Sequence, residues 1–134
     1  MIALDTSVVV AAFASWHQGH ASAVAALAQN PRLPAQVFVE AYSVLTRLPP
    51  PHRAPAEVAM EFLIERFPGA LLTLPGAAHR DLVTLAAKVG LAGGTIYDAL
   101  VAATAKRAAA TLLTRDRRAV PAYETIGVRF ELLL

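Results

Sequence analysis

Ile2-Ala3-Leu4-Asp5-Thr6-Ser7 is the stretch on which the reading of the fold turns. Three apolar residues, too few for a helix, run into a carboxylate and then a hydroxyl. A short strand with no polar alternation is covered on both faces, which is the habit of a strand in a parallel sheet. Thr6 then stands where a cap is wanted, for a helix from Ser7 to about Ala14. Apolar runs recur at Ala70–Leu74 and Thr111–Leu113, and Val128–Leu132 alternates as a last strand.

Helices fill the intervals. His17–Ala28 reads as one, ending near Asn30-Pro31. Pro34 sits at a helix start, and from Gln36 the residues Val37, Val39, Ala41, Val44, Leu45 and Leu48 keep a mostly helical spacing until Pro49-Pro50-Pro51 stops them. Pro55 opens another, with Val58, Ala59, Phe62 and Leu63 on one face and Glu57, Glu61 and Glu65 on the other. Ala77–Val89 follows, closed by Gly90. Thr95 is the expected cap of Ile96–Ala109, and Arg117–Tyr123 is a short helix or loop. Strands that alternate with helices, joined by right-handed crossovers, predict an α/β protein with a doubly wound parallel sheet.

Bulk properties narrow the classes. A chain of 134 residues fits one domain, 1–134, and is long enough to bury a core. Apolar residues are 56% of it, which argues against disorder. With no cysteine, disulfides and thiolate metal sites are excluded. No apolar run reaches the roughly 18 residues of a membrane span, and no signal-peptide pattern is visible, so a cytoplasmic protein is expected. The net charge is only +2, but Lys106, Arg107, Arg115, Arg117 and Arg118 crowd the last third. Such a cluster suits phosphates, or is simply a solvated face.

Four acids stand out among ten. Asp5 follows a buried strand, Glu40 lies within an apolar helix, Asp98 sits in the first turn of an Ala-rich helix, and Asp116 follows the third strand. Each has an ordinary use: Asp5 as a cap, Glu40 facing solvent, Asp98 favoured by the helix dipole, Asp116 in a turn. Yet in a doubly wound sheet ligands bind beyond the carboxyl ends of the strands, where Asp5 and Asp116 are both expected. If all four converge, they raise one another's pKa, and a divalent cation relieves the conflict. An all-oxygen site favours Mg²⁺ or Mn²⁺ over zinc. Such an ion activates water against a phosphodiester.

These blocks also carry a family likeness. Ile2-Ala3-Leu4-Asp5-Thr6-Ser7, Val39-Glu40-Ala41-Tyr42-Ser43-Val44-Leu45-Thr46-Arg47-Leu48-Pro49, Tyr97-Asp98-Ala99-Leu100-Val101-Ala102-Ala103-Thr104-Ala105 and Leu112-Leu113-Thr114-Arg115-Asp116 resemble the PIN domain of VapC-type toxins, from Met1 to the C-terminus. The resemblance implies a three-layer α/β/α sandwich with a central parallel sheet of four to five strands. It implies Mg²⁺-dependent endoribonuclease activity, Mn²⁺ being the other candidate. Asp5 and Asp98 would be the principal metal ligands, with Glu40 and Asp116 completing the catalytic pocket. Thr6 and Thr114 match supporting hydroxyl positions, Thr6 orienting Asp5 or binding a water. Arg115, Arg117 and Arg118 would hold the RNA backbone without reading bases. The family further implies a VapB-like antitoxin and a homodimer. Its members often carry an aromatic shortly after the last acid, where this chain has Ala119 and Val120. The substrate class stays at transfer, ribosomal or messenger RNA.

Other features read as structural. His17 and His20 have a helical metal spacing but no third ligand nearby, and capping or packing is the simpler role. His52 and His79 look like surface residues. Phe38, Tyr42 and Leu45 form a stripe for the core, or for a dimer or antitoxin groove. A phosphoaspartyl phosphatase would need an acid where Ser7 stands, and a receiver domain an acidic pair after the first strand. The alternative from another class is a catalytically silent or housekeeping PIN module that binds or matures RNA.

Overall fold

A computed structural model describes Met1–Leu134 throughout. Three parallel strands, β1 (Ile2–Leu4), β2 (Thr111–Thr114) and β3 (Phe130–Leu132), lie side by side in that order. Seven helices surround them: α1 (Thr6–Phe13), α2 (His20–Leu27), α3 (Ala35–Arg47), α4 (Ala56–Arg66), α5 (Gly76–Val89), α6 (Thr95–Arg107) and α7 (Val120–Ile126). The α/β class and the parallel sheet are as the sequence predicts. A cluster of 26 buried side chains runs from Ala3 to Val128 and ties β1 and β2 to the helices. Leu4 and Leu112 are wholly buried in it, each such side chain stabilising the fold by about 1.5–3 kcal/mol.

The expectation of four to five strands is corrected to three. Ala70–Leu74 is not a strand; Leu72 makes one parallel bridge to Pro34, and Arg32 makes another to Ala3. Leu72 donates to the Leu33 carbonyl and accepts from the Ala35 amide, both at 2.8 Å, and no further backbone rung forms there. On the other side of the segment Pro34 has no N–H to extend the Arg32 pairing with β1. The single rungs still set the order of segments. From β1 the chain steps outward through Arg32 to Leu72, then returns to the other side of β1 as β2. The strand order therefore reverses between β1 and β2, and that boundary is where such sheets bind ligands.

Three local expectations are also corrected. The cap of α1 is Asp5, with Thr6 already in the helix. Thr95 lies inside α6, its hydroxyl donating to the Ala92 carbonyl (2.7 Å) rather than capping. α2 begins at His20, because Ala14–Gly19 is spent turning the chain between α1 and α2. Gly90 does close α5, at φ 81°, a conformation glycine adopts without strain. No helix is long and apolar enough to cross a membrane.

Candidate active site

Asp5 is held from three directions. Its backbone N–H continues the ladder by donating to the Leu113 carbonyl (3.1 Å). Its Oδ1 accepts from the Ser7 amide (3.0 Å), the Ser7 hydroxyl and the Val8 amide (3.4 Å). Its Oδ2 accepts from the Tyr123 hydroxyl at 2.8 Å. The side chain is thus both a helix cap and a pocket wall. Asp5 is 5% exposed. Burial raises its pKa, and the bonds from Ser7, Thr114, Tyr123 and Val8 offset part of that rise.

The other acids arrive from separate elements. Val37, Ala41 and Leu45 bury one stripe of α3, which leaves Glu40 on its flank. Asp98 comes from the first turn of α6. Asp116 follows β2, where its amide donates to the Thr114 hydroxyl (3.0 Å) and its Oδ1 accepts from the Arg118 amide (3.0 Å). The ion pair of Arg118 with Asp116, at 3.5 Å, contributes little, because the arginine side chain is 94% exposed. All four acids line one pocket with Thr6, Ser7, Val101 and Tyr123. Burial raises the pKa of Asp98 first, then the like charges of Asp116, Glu40 and Asp5 raise it further, with Arg118 opposing. The carboxylates sense one another, but no three of them are drawn together into ligand positions around one point.

Volumes divide the labour. The acidic pocket holds about 40 Å³, room for a few waters or a small ion. Next to it a groove of about 420 Å³ shares Thr6, Ser7, Glu40 and Asp116 and adds Val10, His17, Val44, Arg115 and Arg118. That groove is of ligand size. Arg115 and Arg118 add positive charge to the groove, whereas the charged residues lining the pocket are all acids.

Sequence reasoning missed two residues here. Ser7, rather than Thr6, touches the Asp5 carboxylate, and its oxygen also accepts from the Arg115 amide (2.8 Å). Tyr123 is 2% exposed and reaches Asp5 from 118 positions away; Asp5 and burial both push its phenol pKa up. Its sequence signal, an aromatic seven residues beyond Asp116, is easily taken for core. The basic cluster, by contrast, divides. Arg115 and Arg118 reach the groove, Arg117 is exposed in the same loop, and Lys106 and Arg107 line another cavity, with Lys106 donating to the Ile126 carbonyl. His20 meets the Ala11 carbonyl (2.9 Å), and His17 accepts from the Gly19 amide (2.9 Å), so both serve local structure.

Tyr123→Phe removes one hydrogen bond and nothing else. We expect it to lower the urea midpoint by an amount equivalent to about 1.5–3 kcal/mol, the range for a bond to a charged acceptor. Chemical denaturation at neutral pH measures it, and an unchanged midpoint would show the bond idle.

A parallel sheet with acids gathered at its switch point and helices on both faces defines a PIN domain. The PIN-domain model matches residues 2–124, so the chain belongs to that family. Within it the affinity is to the VapC group: Ribonuclease VapC40 of Mycobacterium tuberculosis, in strains CDC 1551 / Oshkosh and H37Rv, is 50% identical over 133 residues, covering 99% of each chain. Ribonuclease VapC27 of strain H37Rv is 41% identical over 128 residues, 95% of this chain and 93% of that one. A chain from the solved structure of FitAB bound to the IR36 DNA fragment superposes with a TM-score of 0.71 at 20% identity, over 98% of this chain and 94% of that one, and supports the fold.

Proposed function

We propose that residues 1–134 act as one PIN domain, a divalent-cation-dependent endoribonuclease toxin that hydrolyses phosphodiester bonds in RNA. One observation carries the reading: Asp5, Glu40, Asp98 and Asp116, from four separate elements, line one small pocket beside a groove edged with arginine. The ribonuclease names of the VapC40 and VapC27 relatives agree with it.

The donor set fits an oxygen-seeking cation. It is all carboxylate and hydroxyl, and burial followed by the like charges of Asp116, Glu40 and Asp5 raises the pKa of Asp98. Asp5 and Asp98 would be the principal ligands of Mg²⁺ or Mn²⁺, with Glu40 and Asp116 beside them. When bound, such an ion supplies charge stabilisation at the phosphate and a more acidic water. Tyr123 and Ser7 fix the direction of Asp5. Thr114 fixes the start of the Asp116 loop. Glu40 and Asp116, shared by pocket and groove, are placed to take a proton from an attacking water. Arg115, Arg117 and Arg118 hold the backbone of the RNA by charge.

The same reading includes a VapB-like antitoxin, a homodimer and a cytoplasmic place of action. An apolar cleft lined by Phe38, Val39, Tyr42, Met60, Leu63 and Ile64 on α3 and α4 suits a protein partner. Of Phe38, Tyr42 and Leu45 on α3, only Leu45 is fully buried; Tyr42 is 40% exposed.

The test is cleavage of total RNA with and without chelator, with the new ends mapped. We expect defined ends with Mg²⁺ or Mn²⁺, none after chelation, and recovery on adding either ion. Binding without cleavage would favour the silent PIN module, and cleavage indifferent to chelator would overturn the role of the carboxylates.

A further inference from the structure

The turn between α1 and α2 presents Trp16, 51% exposed, next to His17, which lines the groove beside the acidic pocket. Its indole stacks on the His52 ring, with centroids 4.0 Å apart and planes 28° from parallel. His17, the next residue, lines the groove itself and lies 5.9 Å from the indole, ring to ring. The turn is also fitted to the arginine loop. A Cβ on Gly19 would fall 2.2 Å from the Arg115 Cζ, so the guanidinium lies flat against that glycine. Arg115 Nη1 is buried there and donates to nothing. Arg115 and His17 line the groove that shares Glu40 and Asp116 with the acidic pocket, and Trp16 stands beside His17.

We propose that Trp16, backed by His52, is a stacking platform for an unpaired base of the RNA whose phosphate enters the acidic pocket. The proposal rests on the nuclease reading above. Nothing in the core requires a half-exposed tryptophan at this turn. Every base offers a flat π-face to an indole, and cations close by draw in the adjoining phosphates. Stacking requires a base free of its duplex, so the platform selects single-stranded segments or loops over paired RNA. It acts on substrate affinity, since the indole stands outside the pocket where the bond breaks.

Trp16 is the chain's single tryptophan, so its emission reports on this site alone. The wild-type protein is titrated with short single-stranded RNA, and with the same RNA as a duplex, in chelator to hold the RNA intact. Single strands are expected to quench the emission saturably, and the duplex to leave most of it. In magnesium, Trp16→Ala is expected to raise KM for RNA about 5- to 100-fold, with kcat within about twofold, and Trp16→Phe to restore most of the loss. Saturable RNA binding that leaves the emission unchanged, or a Trp16→Ala variant with wild-type KM, overturns the platform while leaving the nuclease intact. Wild-type protein that never cleaves RNA overturns the nuclease reading instead, whatever the fluorescence does.

Discussion

Asp5→Asn is expected to cleave RNA at least about a thousandfold more slowly than the wild type while remaining folded. In the proposed mechanism Asp5 would hold a divalent cation through its charge, and such an ion would supply several kcal/mol to the transition state, each 1.4 kcal/mol being about a factor of ten. Asparagine keeps the shape and removes the charge. Its amide oxygen can still accept from the Ser7 and Val8 amides, so the start of α1 survives. Its amide nitrogen then faces Tyr123, whose hydroxyl can turn and accept. The stability change is expected to stay within about 1 kcal/mol. Asp5→Ala would confound the experiment, because it strips the cap and strands the buried Tyr123 hydroxyl together. Single-turnover cleavage alongside a thermal melt separates the effects. Near-wild-type cleavage by a folded Asp5→Asn protein would remove Asp5 from the chemistry.

Asp98→Asn is expected to move activity and stability in opposite directions. Cleavage is expected to fall about a hundredfold or more, because in the proposed mechanism Asp98 would be a principal cation ligand and asparagine lacks its charge. In chelator, however, the melting temperature rises by about 1–3 °C, kept small because Asp98 is partly open to water and its repulsions are screened. The sign follows from the raised pKa of Asp98. The native state binds a proton more tightly than the unfolded chain, whose Asp ionises near 3.8. Ionisation therefore destabilises the fold, and stability declines as pH climbs from there through the raised native value. Asp98→Asn flattens that decline, although Asp5, also raised, preserves part of it. Magnesium should stabilise the wild type and have little effect on the variant. Melts across the acidic range, with and without magnesium, test all of this. A variant less stable than wild type at neutral pH would show that the acids do not repel one another as the geometry implies.

Much of the architecture was legible because it depends on local chemistry. Asp5 at the end of Ile2–Leu4 and Asp116 after Thr111–Thr114 could be placed at one sheet edge from apolar runs alone. Gly90 and the proline triplet marked ends that backbone sterics impose. Other features depended on partners far away in the chain. Whether Ala70–Leu74 became a strand depended on what lay opposite it, and only Leu72 finds backbone partners there, the Leu33 carbonyl and the Ala35 amide. The side chain that steadies Asp5 comes from Tyr123, and no periodicity announces a pair 118 residues apart. Thr6 and Ser7 were equally eligible for that carboxylate by type. The turn into α1 settled it by starting the helix one residue earlier. The arginines followed the same division: position in the sequence grouped Lys106 and Arg107 with Arg115, but α6 carries the first two to a different cavity.

The two oxygens of Asp5 are not equivalent, and this bears on which ion the pocket prefers. A carboxylate has about four lone pairs. Oδ1 already accepts from three donors in the first turn of α1, whereas Oδ2 accepts from the Tyr123 hydroxyl, and Thr114 also bonds the carboxylate. A cation would therefore meet Oδ2 more readily than both oxygens at once. On the proposed reading, calcium, which gathers six to eight oxygens and often takes both from one carboxylate, would fit Asp5 less well than magnesium, which takes single oxygens and keeps its water.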